Sequence, residues 1–303
     1  MKNITVIMGI TMLMLGSVQN TVAQYSYGDD KYYDNRITYE LGGSIGAMNC
    51  LTDLGGGKGT GKKFIKDLNV GKSQFSGGIF LSAAYRYAVV LRTEASWGSI
   101  KADDKVLEKV KVSTLGRYDR NLSFKSTVYE VMLAAEIHPR YFKKYKKGEK
   151  LPRFSPYLMG GVGYFSFNPK AKLNDLWIEL QPLSTEGQGF SEYPNRKPYR
   201  RRQLNFPVGA GFKYKLSPLF NFSAECVYRV LHTDYLDDVS SRYIDQSVFS
   251  NHFVGEQLFQ ALSLHDRQKE LNSAHVPLKD DIRGNPNNND AYFTINLKLG
   301  LVF

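Results

Sequence analysis

Four cations and four carboxylates stand at spacings that could bring them into one enclosed space: Arg86, Arg92, Lys213 and Arg229, with Glu94, Glu130, Glu136 and Glu225. Each lies on the polar side of a stretch in which apolar and polar residues alternate. Gathered inside a narrow structure they would form a mutually neutralising ionic network, because an unpaired buried charge is costly. Patterns that suggest bond-making chemistry are weaker. Of the histidines His138, His232, His252, His265 and His275, only His232 stands beside carboxylates, with Asp234, Asp237 and Asp238 following it. A histidine near aspartates in a loop is ordinarily surface polarity, and catalysis needs geometry that spacing does not supply. The stretch TDYLDDVSSRYID (233–245) raises the question of Ca²⁺, yet it lacks the spacing and turn glycine of an EF-hand loop. GGGKGTGKK (55–63) looks like a phosphate loop without the strand-to-helix context that would make it one, and reads as a flexible connection. No catalytic residue, metal site, cofactor or small-molecule substrate is expected.

The elements that must position these charges follow from periodicity. Tyr39, Leu41, Gly43, Ile45 and Ala47 alternate with Glu40, Gly42, Ser44 and Gly46. Ile79 to Tyr87 repeats the pattern, with Phe80 interrupting the polar side. Val89 to Trp97 follows directly after a tight turn near Ala88. A fourth segment sets Tyr129, Val131, Leu133, Ala135 and Ile137 against Glu130, Ala134 and Glu136. SPYLMGGVGYFSF (155–167) is glycine-rich and leaves open which face is apolar. Leu204 to Lys215 and Phe222 to Val230 flank a turn at Ser217-Pro218, and AYFTINLKLGLVF (291–303) closes the chain on Phe303. These make eight segments of about ten residues, the length a tilted strand needs to cross a bilayer.

The expected fold is therefore all-β: an eight-stranded antiparallel transmembrane up-and-down β-barrel, with apolar side chains facing lipid. A closed barrel is the one sheet that leaves no backbone unpaired in hydrocarbon. A soluble lipocalin-type barrel, with the faces inverted, would show the same periodicity. Connections over residues 50–75, 99–121, 168–201 and 232–290 are long and the alternate ones short, which suits long extracellular loops and short periplasmic turns. An eight-stranded barrel has room for its own side chains and little else, so a diffusion pore is not expected. Cys50 and Cys226 fall on non-neighbouring strands and are not expected to bridge.

Export is read from the first residues. Lys2 precedes an apolar run from Ile4 to Leu15, and Thr21-Val22-Ala23 offers a cleavage site, so residues 1–23 are expected to be a signal peptide and 24–303 the outer-membrane barrel domain. The formal charge of +11 does not imply nucleic acid for an exported chain; anionic lipid or a protein partner fits better. One inside turn is exceptional. HPRYFKKYKKGEKLPRF (138–154) carries Arg140, Lys143, Lys144, Lys146, Lys147 and Lys150 among Tyr141, Phe142 and Tyr145. It reads either as a solvated hairpin extension or as a docking surface for an acidic periplasmic partner or lipid headgroups.

Several stretches together resemble a known family: ELGGSIGAMNCLTDLGG (40–56), RNLSFKSTVYEV (120–131), SPYLMGGVGYFSFNPKA (155–171), LQPLSTEGQG (180–189), TDYLDDVS (233–240) and RGNPNNND (283–290). They are similar to PorG-type barrels, outer-membrane components of the Bacteroidetes type IX secretion system. The resemblance implies a non-enzymatic role in protein export, with a periplasmic ring lipoprotein and its partner protein as associates and outer-membrane lipid around the barrel. Phe303 resembles the C-terminal aromatic that serves outer-membrane proteins as an assembly signal. A lipid or peptide hydrolase working at the barrel rim, and a passive adhesion or membrane-integrity barrel, are the alternatives.

Overall fold

The computed structural model describes residues 36–55, 70–113, 116–143, 145–146, 149, 151–275 and 279–303. The expected signal peptide, most of the glycine-rich loop, and Lys144, Lys147 and Lys150 lie outside the described residues. Ten strands form among the described residues, and eight of them close a ring. In chain order these eight are β1 (Ile37–Leu51), β2 (Gln74–Tyr85), β3 (Val89–Asp103), β4 (Ser123–Ile137), β5 (Phe154–Ser166), β8 (Arg202–Lys215), β9 (Phe220–Val230) and β10 (Ala291–Val302). Each pairs antiparallel with its neighbours in sequence, and β1 pairs with β10 to close the ring. β6 (Pro169–Leu173) and β7 (Leu176–Glu179) form an additional hairpin leaning on β4. No helix among the described residues is long and apolar enough to cross a membrane.

Period two accounts for both faces of the wall. Along β4 every second side chain from Phe124 to Glu136 is buried, and the outward ones include Tyr129, Val131, Leu133 and Ile137. The outward belt is apolar all round: Ile45, Ile79 and Leu158 are each more than 60% exposed. In water such a continuous apolar surface would be costly. β5, the ambiguous segment, turns Tyr157, Met159 and Phe165 inward and Leu158, Val162 and Tyr164 outward, so both of its faces are apolar.

Phe80, the residue that interrupts the polar side of β2, points into the bore. The bore has space for it because β1 carries Gly42 alongside: a Cβ there would lie 2.5 Å from Phe80 Cζ. Lys298 Nζ sits 4.5 Å from the centre of the same ring.

The barrel has two unlike ends. At one, β2 joins β3 through Arg86 and Tyr87, both in the left-handed region (φ 48° and 54°), with the Ala88 N–H donating to Tyr85 O. Arg86, Tyr87 and Ala88 make a three-residue connection between the paired ends Tyr85 and Val89, and the two successive positive-φ residues match the twist of the flanking strands. Ser217 caps the β8–β9 turn by accepting from the Leu219 and Phe220 N–H groups. At the other end, connections 52–73, 104–122, 167–201 and 231–290 gather. Their described residues are packed rather than loose. Phe124, Phe167, Leu183, Phe190, Leu236, Ile244, Phe249 and Leu264 pack there with the strand-end residues Met48, Ile100, Phe165 and Tyr292. The helix Gly255–His265 supplies Ala261 and Leu264 to this core. The main hydrophobic core of the molecule thus lies in a cap over one end of the barrel.

Candidate functional site: a charged bore and a folded cap

Arg92, on β3, is the centre of the bore. Its guanidinium reaches Glu136 of β4 at 2.5 Å, Glu225 of β9 at 3.0 Å and Glu94 at 3.2 Å. Lys298 of β10 donates to Glu94 (2.5 Å) and Glu225 (3.1 Å), and the Tyr157 hydroxyl donates to Glu225 (2.7 Å). Nearer the cap, Arg229 donates to Glu130 (2.9 Å) and Thr294 (2.6 Å), while Asn205 donates to Glu130 (2.7 Å). Nearer the turns, Lys213 donates to Glu40 (2.9 Å), and His138 bridges Glu136 and Ser155 at 3.1 Å each.

Seven of the eight charges named from the sequence therefore meet inside the barrel. Arg86 does not. The strand ends at Tyr85, so Arg86 falls in the hairpin turn, exposed, with its guanidinium 5.8 Å from the Tyr85 ring. Glu40, Lys298 and His138 belong to the network but were not assigned to it from the sequence. For Glu40 and Lys298 the signal was present, since both stand on the polar side of their strands.

These residues seal the bore with paired charge. A cavity of about 30 Å³ remains at the turn end, bordered by Glu40, His138, Lys213 and Tyr141. That is room for about one water molecule.

The cap is knit by a second polar set. Glu186, fully buried, accepts from the Ser240 and Ser241 N–H groups (3.0 Å each), the Ser241 hydroxyl (2.6 Å) and Arg283 (2.9 Å). Asp238 accepts from the Thr185 and Tyr199 hydroxyls at 2.5 and 2.7 Å. Arg120 pairs with Asp104 (2.8 Å) and donates to the carbonyls of Asp53 and Arg283. All four long connections are joined by these bonds.

Of the aspartates weighed for Ca²⁺, Asp234 and Asp237 lie near each other and near Asp53 and Asp290, whereas Asp238 is turned to Thr185 and Tyr199. Asp237 accepts from the Leu54 and Val239 N–H groups, and Asp238 is held by the two hydroxyls above. Among the described residues, no group of three or more His, Cys, Asp or Glu has metal-holding geometry. Burial, with Asp53 and Asp237 nearby, pushes the Asp234 carboxyl up to about 9. Burial beside Arg283 brings the His265 imidazole down to about 3. His232, the histidine weighed for catalysis, is exposed and lies edge-on to Phe206. An open cavity of about 1120 Å³ enters the cap, bordered by Arg117, Arg120, Arg196, Arg242, Asp53 and Asn287 among others.

The basic turn makes contacts of its own. Arg140 donates to Phe154 O (2.9 Å), the Tyr141 hydroxyl to Pro152 O (2.8 Å) and Tyr145 to Arg140 O (3.1 Å). Lys143 pairs with Glu149 at 3.0 Å, and the Lys146 N–H donates to Glu149. Phe142 is 59% exposed. Phe303 stacks on Tyr39 (6.1 Å between rings) and exchanges backbone hydrogen bonds with it.

The fold is a closed eight-stranded antiparallel β-barrel with a charged bore. No protein-family model matches the chain, and no characterised protein matches its sequence. Among solved structures it is similar to Ail, the attachment invasion locus protein of Yersinia pestis, at 10% identity and TM-score 0.35, covering 88% of this chain and 97% of that one. It is also similar to Neisserial surface protein A (7%, TM-score 0.36, 88% and 97%) and to OprG from Pseudomonas aeruginosa (11%, TM-score 0.36, 88% and 95%).

Proposed function

We propose that the chain is a non-enzymatic integral outer-membrane protein, exported by a cleaved signal peptide and embedded with its cap outside and its turns in the periplasm. The observation that carries this reading is the pairing of an apolar outward belt with an ionic bore. Lipid covers the belt, and the neutralised bore keeps the wall sealed. Within that class we assign it to a protein-secretion machine of the type IX kind. The basic, aromatic turn Arg140–Lys150 serves as the contact to the periplasmic ring lipoprotein and its partner protein, and Phe303 as the assembly signal. Support comes from Phe142, which stands exposed among cations where a turn built only for solubility would place a polar residue. Exposed aromatics with basic neighbours suit an interface having an anchor and electrostatic steering. A second reading, capture of a ligand at the cell surface, is favoured by the open cavity in the cap.

Co-purification from detergent-solubilised membranes separates the two. The variant Phe142→Ala/Lys143→Glu/Lys146→Glu should insert normally and lose its periplasmic ring partners, more completely at higher salt. If it retains those partners and supports secretion, the turn is not the contact, and substitutions at Arg196 and Arg242 in the cap cavity become the informative ones.

A further inference from the structure

Bore, cap and turn leave one group of charges without a role. Lys101 of β3 stands directly opposite Lys125 of β4, and Lys125 directly opposite Lys170 of β6. All three point outward, since their neighbours Ile100, Ala102, Phe124, Ser126, Pro169 and Ala171 are buried. Like charges facing each other across adjacent strands, with Cβ atoms about 5 Å apart, destabilise a sheet. Neighbouring carboxylates compensate only part of the row. Glu179 lies 3.1 Å from Lys170 but is shared with Arg201 at 2.9 Å; Asp103 pairs with Lys72, and Asp175 with Lys172. Among the described residues, Lys101 and Lys125 have no carboxylate within ion-pair distance. Lys125 Nζ instead lies 5.7 Å from the centre of the Trp177 ring.

The height of this row on the wall identifies its counter-ion. Trp97 faces Tyr129 across the β3–β4 ladder, and the lysines stand four residues further toward the cap. Four residues of strand, tilted by about 40°, rise about 10 Å along the barrel axis. Aromatic girdles sit at the boundary between hydrocarbon and headgroups. A row about 10 Å beyond one stands among the headgroup phosphates. The β6–β7 hairpin adds Leu176 and Trp177, 67% and 49% exposed, beside the same lysines. Below the row one outward polar pair, Ser99 facing Thr127, leads into Tyr129, Val131 and Leu133, which would lie along acyl chains.

We propose that Lys101, Lys125 and Lys170, with Trp177, bind the phosphates of a phosphorylated glycolipid in the outer leaflet. Lipid, rather than free phosphate, is the occupant because the charges stand one outward residue pair above the apolar belt and beside the exposed Leu176 and Trp177. The site rests on the belt being membrane-embedded with the cap outside.

The test uses the full mature chain and its Lys101→Gln/Lys125→Gln/Lys170→Gln variant. Both are refolded into phosphatidylethanolamine bilayers alone, with bisphosphorylated lipid A, or with dephosphorylated lipid A. A heat-modifiable band on electrophoresis first establishes insertion. Each basic residue at an anionic surface contributes roughly fivefold in affinity, so the triple variant should bind bisphosphorylated lipid A about a hundredfold more weakly. Wild type should melt higher only with the phosphorylated lipid, and excess inorganic phosphate should leave that gain intact. Equal gains in variant and wild type, a gain with dephosphorylated lipid A, or abolition of the gain by inorganic phosphate would each overturn the site. Failure of the wild-type band to shift would instead overturn the membrane reading, and this proposal with it.

Discussion

Arg92 ties three strands together, because Glu94, Glu136 and Glu225 come from β3, β4 and β9. Removing it would leave those carboxylates buried with too little positive charge. Breaking a buried pair from one side costs about 3–5 kcal/mol, mostly the penalty of the stranded partner. Arg92→Ala should therefore lower the urea midpoint of the heat-modifiable band sharply. Adding Glu225→Gln should recover part of the loss rather than add to it, since the second change removes one stranded charge. A double variant as unstable as the sum of the singles would mean that the two side chains act independently. This network was largely legible in the sequence, because charged residues recurring on the polar side of alternating strands have only the bore to occupy. Arg86 was misplaced because the alternation runs two residues past Tyr85, to Tyr87, where the chain has already turned.

At the scale of elements, β10 is the piece whose loss should be least tolerable. It pairs with β1 from Glu40↔Val302 to Leu51↔Ala291 and with β9 along its other side. Deleting residues 291–303 would expose the edges of both neighbours, and each unpaired backbone group in hydrocarbon costs several kcal/mol. The deletion should be degraded or aggregate in the periplasm, and Phe303→Ala should fold more slowly with a milder loss of membrane level. Fractionation and immunoblotting would check both; a deletion variant at wild-type membrane level would contradict the closure. Period two exposed seven of the ring strands with their faces. β5 stayed ambiguous for a physical reason: its inward Tyr157 and Met159 pack inside the bore and Phe165 joins the cap core, so both faces read as apolar. The β6–β7 hairpin is too short to show a period.

The whole molecule inverts the usual placement of its apolar core. In the ring, apolar side chains face out; the packed interior is in the cap, built from segments that read as loops because they have no repeating pattern. Cap stability should depend on pH through its buried acids. The Asp234 carboxyl is held up at about 9 from an ordinary 3.8, so the folded cap keeps a proton that the opened cap releases. Each rise in pH between those values therefore favours opening, and the penalty is complete above about 9. His265 works in the other direction. Its imidazole is held down at about 3, so the folded cap loses stability as pH falls from 6.5 toward 3. Between pH 7 and 9 only the acids act. Protease cleavage in residues 231–290 should accelerate over that range while the barrel band persists, and Asp234→Asn should flatten the dependence. Unchanged cleavage from pH 7 to 9 in the wild type would reject the assignment.

The cap also gives insertion a direction. In the orientation proposed above, its segments pass the bilayer as unfolded chain, since the bore, filled by Arg92 and its partners, admits nothing folded. Once Phe190, Phe249 and Leu264 have packed and Glu186 has taken its donors, a folded core sits across the end of the ring. It then behaves as a rivet head. Thermal motion that would draw a strand back toward the periplasm must first unfold a hydrophobic core on the far side, so residence in the membrane is governed by a barrier outside it.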